Sequence, residues 1–383
     1  MAKALWSRAC LVHDAWVMAD SPAKSLDAFT VPDLEAVRIL LRGDSVIDWH
    51  RLNFSSVEEV HTFLRVHELN PDSSTDRSHV AGVQRDAIAY LRRHFDYPIP
   101  RPVEELGFDD LCLLASGRGH RQMCACAILK CMHIIHHLQG RELLFGLPLS
   151  HQEVYQLVEQ KVYRVLGGML ASGFPITEFM GGRKEKDSLY TKLLSKQDTI
   201  AAEIYDKLRF RVVTRERDDI FPVLQHMTQE LVPFNYVIPG QSISSIFGFR
   251  TYCESHPHLA GMLPAMQARP DADLLASDNV FSGQSYRVIH FVVDMPVRVP
   301  DSVLARGLKG QASLGPVVFV VCEFQLIDRA TEASNELGDA SHDLYKERQK
   351  KAVVRRLQIG FRDDSAPASS VAPASPTGPM SGK

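Results

Sequence analysis

Two acidic residues sit where carboxylates are uncommon. In "GPVVFVVCEFQLID", residues 315–328, the six residues from Val317 to Cys322 are all apolar and Glu323 follows them. In "DKLRFRVVT", Asp206 opens a run that alternates and is rich in β-formers. Burying an unpaired carboxylate costs several kcal/mol or forces it to neutralise. Glu323 therefore either reaches a rim where water or a cation meets it, or has a dedicated partner. If both runs are strands of one sheet, the two carboxylates can share a face. One or two carboxylates, with water and phosphate filling the remaining positions, is how a magnesium site is built. The alternatives are structural: Asp206 as a strand-start residue turned to solvent, and Glu323 in a salt bridge to an arginine.

Three other stretches hold chemically capable residues. "CACAILKCMHIIHH" brings Cys124, Cys126, Cys131, His133, His136 and His137 into a short span, but it reads as one continuous helix and fits no zinc template. Buried thiols and partly buried histidines are the simpler account. "ASGRGHRQ", residues 115–122, offers amides to an anion at a helix start, yet no strand precedes it, so it reads as a helix-to-helix turn. His13–Asp14 lacks partners at metal-binding spacing.

The elements that must position these residues fall into two regions. To about residue 170 the pattern is helical. "VPDLEAVRILLRG" has helical spacing of Leu34, Val37, Ile39 and Leu41, and "SSVEEVHTFLRVHEL" has a serine cap with a glutamate three residues after Ser56. From Tyr205 the period shortens: a strand in "DKLRFRVVT", an amphipathic helix in "RDDIFPVLQHMTQELVP", one or two strands in "SYRVIHFVVDMPVRV" and another in "ASLGPVVFVVCEFQLID". "TEASNELGDASHDLYKERQKKAVVRRLQ" reads as a long helix broken near Gly338, and residues 234–279 follow no clear pattern.

The 383 residues accommodate two domains. The expected division is a helical accessory domain over 1–165, a mixed sheet domain over 166–362 with an insertion near 235–279, and a disordered Pro/Ala/Ser tail over 363–383. A net charge of −3 argues against a basic footprint over the whole surface, although residues 183–217 carry ten Lys/Arg against six Asp/Glu. Seven cysteines without regular spacing point to reduced thiols and a cytoplasmic location. No apolar run approaches the ~18 residues of a membrane span, and the N-terminus does not read as a signal peptide.

The last third resembles the synthetase domain of RelA/SpoT-type alarmone synthetases. "ELGDASHDLYK" fits E-x-G-x-A-x-H-x-x-Y-K at Glu336, Gly338, Ala340, His342, Tyr345 and Lys346. "CEFQLID" resembles E-V-Q-I-R-T at Glu323 and Gln325, "SYRVIH" matches Y-x-x-x-H at Tyr286 and His290, and "DKLRFRVV" fits D-x-x-x-x-R at Asp206 and Arg211. "GRKEKDSLYTKL" resembles G-R-x-K-x-x-x-S-I-Y-x-K-M at Lys184, Ser188, Tyr190 and Lys192. Five pieces in the family's order over about residues 170–350 are specific as a set.

The resemblance implies an α+β, nucleotidyltransferase-like mixed sheet flanked by helices and preceded by the all-helical N-terminal region. It implies Mg²⁺-dependent pyrophosphoryl transfer from ATP to the 3′-hydroxyl of a nucleotide acceptor, GDP or GTP. Asp206 and Glu323 would be the catalytic and metal-holding pair, with Glu323 also assisting removal of the hydroxyl proton. Lys184 and Lys192 would meet ATP phosphates, Tyr286 the acceptor base and His290 the acceptor phosphates, with Ser188, Arg211 and Gln325 as further substrate contacts. The chain departs from the family at "FSGQSY", which lacks a lysine, and at Ile327, where an arginine is usual; Arg250, Arg287 or Lys309 are candidates to compensate. An RNA 3′ end as acceptor, a non-catalytic nucleotide sensor, and homo-oligomerisation all remain open at this point.

Overall fold

Serines start three of the helices. The computed structural model describes residues 23–42, 54–195, 205, 207–266, 285–307, 314–337 and 342–358. Helix α1 spans Val31–Arg42; Ser56 caps α2 (Val57–Val66) by accepting from the Glu59 amide, and Ser73 caps α3 (Ser74–Phe95) through the Asp76 amide. The short α4 (Arg101–Glu104) and α5 (Phe108–Ala115) lead into α6 (His120–Gly146). Ser150 and Glu153 form a reciprocal capping box at the start of α7 (His151–Ala171).

Beyond α7 come β1 (Ile176–Arg183), α8 (Lys186–Ser195), β2 (Leu208–Thr214), α9 (Ile220–Glu230), β3 (Ile243–Ser244), α10 (Phe249–Glu254) and α11 (Pro257–Met262). They are followed by β4 (Ile289–Arg298), α12 (Asp301–Gly307), β5 (Val317–Asp328), α13 (Arg329–Asn335) and α14 (His342–Leu357). The strands form one mixed sheet in the order β1-β2-β5-β4-β3, with β2 and β5 parallel and the other pairs antiparallel. The fold is thus a mixed sheet flanked by helices.

Register explains which face is dry. Phe210, Phe324 and Phe291 lie side by side across β2, β5 and β4, with ring centroids 5.4 and 5.5 Å apart. Tyr163 of α7 packs edge-on against Phe210. At the far end of β4 and β5, α6 presses on the sheet at Gly140, where an added Cβ would stand 2.5 Å from the Phe319 ring. One apolar core runs without a break from Phe29 to Leu326, so helices from before residue 165 and strands from after it share the same interior.

A lysine ties these layers together. Lys161 of α7 is 5% exposed. Its ammonium donates to Val66 O at 3.1 Å and Pro296 O at 3.0 Å, and lies 2.8 Å from Glu68 Oε1. Three donors thus meet three acceptors. Because a strand residue points its N–H and C=O to the same side, Pro296 turns its missing donor to this outer edge and costs β5 nothing. Arg298 completes the clamp with two bonds to the buried Asp76, at 2.7 and 3.1 Å. Lys161→Met leaves a half-buried carboxylate and two carbonyls without this donor, so a loss of about 1.5–3 kcal/mol is expected in urea unfolding. A loss below about 1 kcal/mol would mean that water replaces the ammonium.

Among the described residues, six cysteines are free thiols and no helix is long and apolar enough to cross a membrane.

A candidate active site on one face of the sheet

Turning each strand over from its phenylalanine gives a second, polar face. The parallel register sets Arg209 opposite Glu323 and Arg211 opposite Gln325. On the other side of β5, Val292 faces Glu323 and His290 faces Gln325; Gly182 and Met180 of β1 continue the two rows beyond β2. Strand alternation puts all of these on the face away from the phenylalanine ladder.

The opening alternatives for Glu323 resolve in favour of dedicated partners. Glu323 is 7% exposed and lies in the body of β5, not at a wet rim. Gln325 Nε2 donates to its Oε1 at 2.6 Å, and Arg209 Nε stands 3.6 Å from its Oε2. Gln325 Oε1 in turn accepts from Arg211 Nε and Nη2 at 3.2 and 3.0 Å. The Gln325 amide is oriented by this chain, with its oxygen toward the guanidinium and its amine toward the carboxylate. Arg209 and Arg211 bring two guanidinium groups to this face, and guanidinium suits phosphate; Glu332 lies close enough to Arg211 to feel its charge.

Tyr286 lies beside the same cluster. Its ring packs on the small apolar group Val213, Val288 and Ile327. Burial pushes its hydroxyl pKa up, while the neighbouring Arg211 and Arg209 charges act in the opposite direction. Asn335 of α13 holds the adjoining backbone: its Nδ2 donates to Arg287 O at 2.6 Å, and its Oδ1 accepts from the Arg287 amide at 2.9 Å. Asp328 caps α13 by accepting from the Thr331 amide at 2.9 Å, which fixes where Asn335 emerges. Neither Asn335 nor Arg209 was among the residues singled out from sequence. Asn335 directly precedes Glu336 of the matched stretch, and Arg209 lies two residues before Arg211.

Other expected site residues are placed differently. Asp206 lies outside the described residues, as do Gly338, Ala340 and Lys309. The Lys184 amide donates to Lys207 O at 2.9 Å, extending the β1–β2 pairing by one step. Ser188 and Lys192 are on α8, which packs along α14, where Tyr345 and Lys346 also lie. Arg250 is bonded to Glu254 on the outer side of α10, with both side chains exposed. The cysteine–histidine stretch is part of α6, as expected: Cys124 is buried, and His133 and His136 point into the protein.

Among the described residues, no three His, Cys, Asp or Glu side chains are grouped to hold a metal by themselves. Glu323 is a single carboxylate, which is the share magnesium takes from a protein where phosphate and water fill its other positions, and both of its oxygens have protein partners here.

No protein-family model matches this chain, and no curated protein sequence does. Solved structures that resemble it include small alarmone synthetase 2 of Bacillus subtilis, 16% identical over 54% of this chain and 92% of that one, with a TM-score of 0.28. Small alarmone synthetase 1 of Bacillus subtilis, bound to its product pppGpp, is 14% identical over 54% of this chain and 87% of its own, with a TM-score of 0.28. A GTP pyrophosphokinase family protein from Streptococcus pneumoniae is 14% identical over 54% of this chain and 84% of its own, with a TM-score of 0.27. These are likenesses over about half of the chain, and the residues on the sheet face carry the functional reading.

Proposed function

We propose that this face carries magnesium-dependent transfer of a pyrophosphoryl group from ATP to the 3′-hydroxyl of a guanine nucleotide, on a nucleotidyltransferase-like sheet. The observation that carries the reading is the convergence of Arg209, Arg211, Glu323, Gln325 and Tyr286 from three separate segments onto one polar face. Such chemistry needs positioning and charge neutralisation more than covalent help. The acceptor oxygen bonds to the β-phosphorus of ATP, the α–β bridge breaks, and AMP leaves. Glu323 takes the hydroxyl proton. Arg209 and Arg211 offset phosphate charge, with Lys184 and Lys192 at the ATP phosphates and His290 at those of the acceptor. Tyr286 offers its ring to the acceptor base. A magnesium ion held by Glu323 and Asp206 would supply charge neutralisation at the phosphates.

One observation favours a second reading, a nucleotide-binding sensor without turnover: both oxygens of Glu323 already have protein partners. Incubation with β-labelled ATP, Mg²⁺ and a panel of GDP, GTP, ADP, AMP and deacylated tRNA decides between them. Label in a guanine nucleotide supports the proposal, and label in tRNA moves the acceptor to an RNA 3′ end. Label that stays in ATP despite tight ATP binding supports the sensor.

Asn335 offers a narrower test. Asn335→Ala removes both bonds to the Arg287 backbone and frees the segment carrying Tyr286. The expected result is an acceptor KM raised by about tenfold, a binding loss of about 1.4 kcal/mol, with kcat changed far less. An unchanged KM would mean that Tyr286 does not meet the acceptor.

A further inference from the structure

A helix from before residue 165 reaches the same face of the sheet as Glu323. Strand alternation puts Phe319, Val321 and Glu323 of β5 on one face, and the antiparallel register sets Pro296, Asp294 and Val292 of β4 opposite them. α6 lies on this face at Phe319, where Gly140 leaves room for the ring, and His137 packs edge-on against the same ring at 4.8 Å. His137 and Arg141, four residues apart on one side of α6, both turn to Asp294. His137 Nε2 lies 2.7 Å from Asp294 Oδ2, and Arg141 Nη1 lies 3.5 Å from the same oxygen. Asp294 is the diagonal neighbour of Glu323, which places their backbones about 7–8 Å apart. Beside them the cover opens: Val321 is the one residue of β5 that is only partly buried.

Arg141 has donors to spare at this opening. Its side chain is 41% exposed, and among the described residues it makes no hydrogen bond. At 3.5 Å, Asp294 steers the guanidinium without occupying its N–H groups. Asp294 is itself buried, and its Oδ1 has no protein partner, so the carboxylate depends on a positive neighbour and holds Arg141 in place. We propose that Arg141 is a phosphate-binding residue of this face, and that it takes the phosphate chain of the donor nucleotide on the side of Glu323 away from Tyr286. The inference deepens the reading given above and rests on it. With the acceptor base at Tyr286, beside Ile327, and transfer at Glu323, the donor phosphates run on along β5 over Val321 toward Asp294. A guanidinium there meets phosphate oxygens through two parallel N–H groups. The helical region thus supplies a substrate contact as well as support.

The test is calorimetric binding of a non-hydrolysable ATP analogue with Mg²⁺, and separately of GDP, to the full chain. Arg141→Gln is expected to weaken analogue binding about tenfold and to leave GDP affinity unchanged. Arg121→Gln removes the same charge about 30 Å away along α6 and is expected to change neither. Arg141→Lys is expected to recover only part of the loss, because an ammonium keeps the charge but not the planar fork. Arg141→Gln leaves Asp294 with one partner fewer. If it fails to fold, Arg141→Gln/Asp294→Asn removes both charges together and must show the same tenfold loss. Analogue affinity at the wild-type level in the folded variant overturns the proposal, as does a loss that falls on GDP instead. Failure of the underlying reading looks different: in that case Arg211→Gln also leaves analogue affinity unchanged. Binding that depends on Arg211 but ignores Arg141 sinks only the role of Arg141.

Discussion

Between pH 7 and pH 5 the protein is expected to lose much of its stability, because folding buries several histidines as neutral rings. His67 Nδ1 lies 2.6 Å from Phe63 O, its other nitrogen 2.9 Å from the Asn235 side chain, and Asn235 reaches His133 Nδ1 at 3.2 Å. Tyr236 packs against both rings. Burial lowers the pKa of His67 to about 4, of His133 to about 3 and of His226 to about 4, and it lowers those of His79 and His136 as well. Each ring binds its proton less readily folded than unfolded, so below the unfolded pKa of about 6.5 acid favours the unfolded chain. The stability is complete above pH 6.5 and falls progressively toward the folded pKa. A ring held near 4 forfeits on the order of 2 kcal/mol by pH 5. Three such rings taken singly approach the whole stability of an ordinary domain, about 5–15 kcal/mol. Urea midpoints at pH 7.5, 6 and 5 check this. A midpoint that stays level to pH 5 would mean that the rings titrate in the folded protein without penalty.

Glu323→Gln is expected to lower transfer by about 10²–10⁴-fold, the ordinary worth of a positioned proton acceptor. The amide still accepts from Gln325 but takes no proton and carries no charge. Its effect on stability is the more instructive half. From sequence, relief of repulsion between Asp206 and Glu323 predicts a melting temperature unchanged or raised for both Glu323→Gln and Asp206→Asn. The Arg209 ion pair argues for a small loss at Glu323 instead, within about 1 kcal/mol, because Arg209 is partly exposed and water can replace its partner. A single-turnover assay beside a thermal melt separates the two effects. Full activity in a well-folded Glu323→Gln protein would remove Glu323 from the chemistry.

The sequence was most readable where pattern and period are strong. The twelve residues of β5 and the alternation of β2 announced a sheet, and the Ser56 cap announced its helix. The long C-terminal pattern divides into α13 and α14, with residues 338–341 outside the described chain. β1 was not foreseen: "ITEFMGGR" contains two glycines and is mostly exposed, as an edge strand can be, so it shows no apolar alternation. β3, two residues long, carries no period at all. The tie at Lys161 joins carbonyls and a carboxylate from residues 66, 68 and 296, a separation that no local pattern reports.

The candidate site was legible by residue type but not by pairing. Arg211, Tyr286, Glu323 and Gln325 stood out as matches to a motif, and the register brings them together. Arg209 did not stand out, because an arginine in an alternating strand looks like a solvated side chain. Only the parallel pairing of β2 with β5 sets it against Glu323.

The most direct measurement of the central claim is a crystal structure with Mg²⁺, a non-hydrolysable ATP analogue and GDP. Phosphate oxygens within hydrogen-bonding reach of Arg209 or Arg211, with the guanine against Tyr286 and the GDP ribose toward Glu323, is the predicted result. Nucleotide seated elsewhere would contradict the account, for example in the cavity of about 600 Å³ lined by His61, Gln84, Arg85, Phe108 and Asp110, with the Glu323 face left empty.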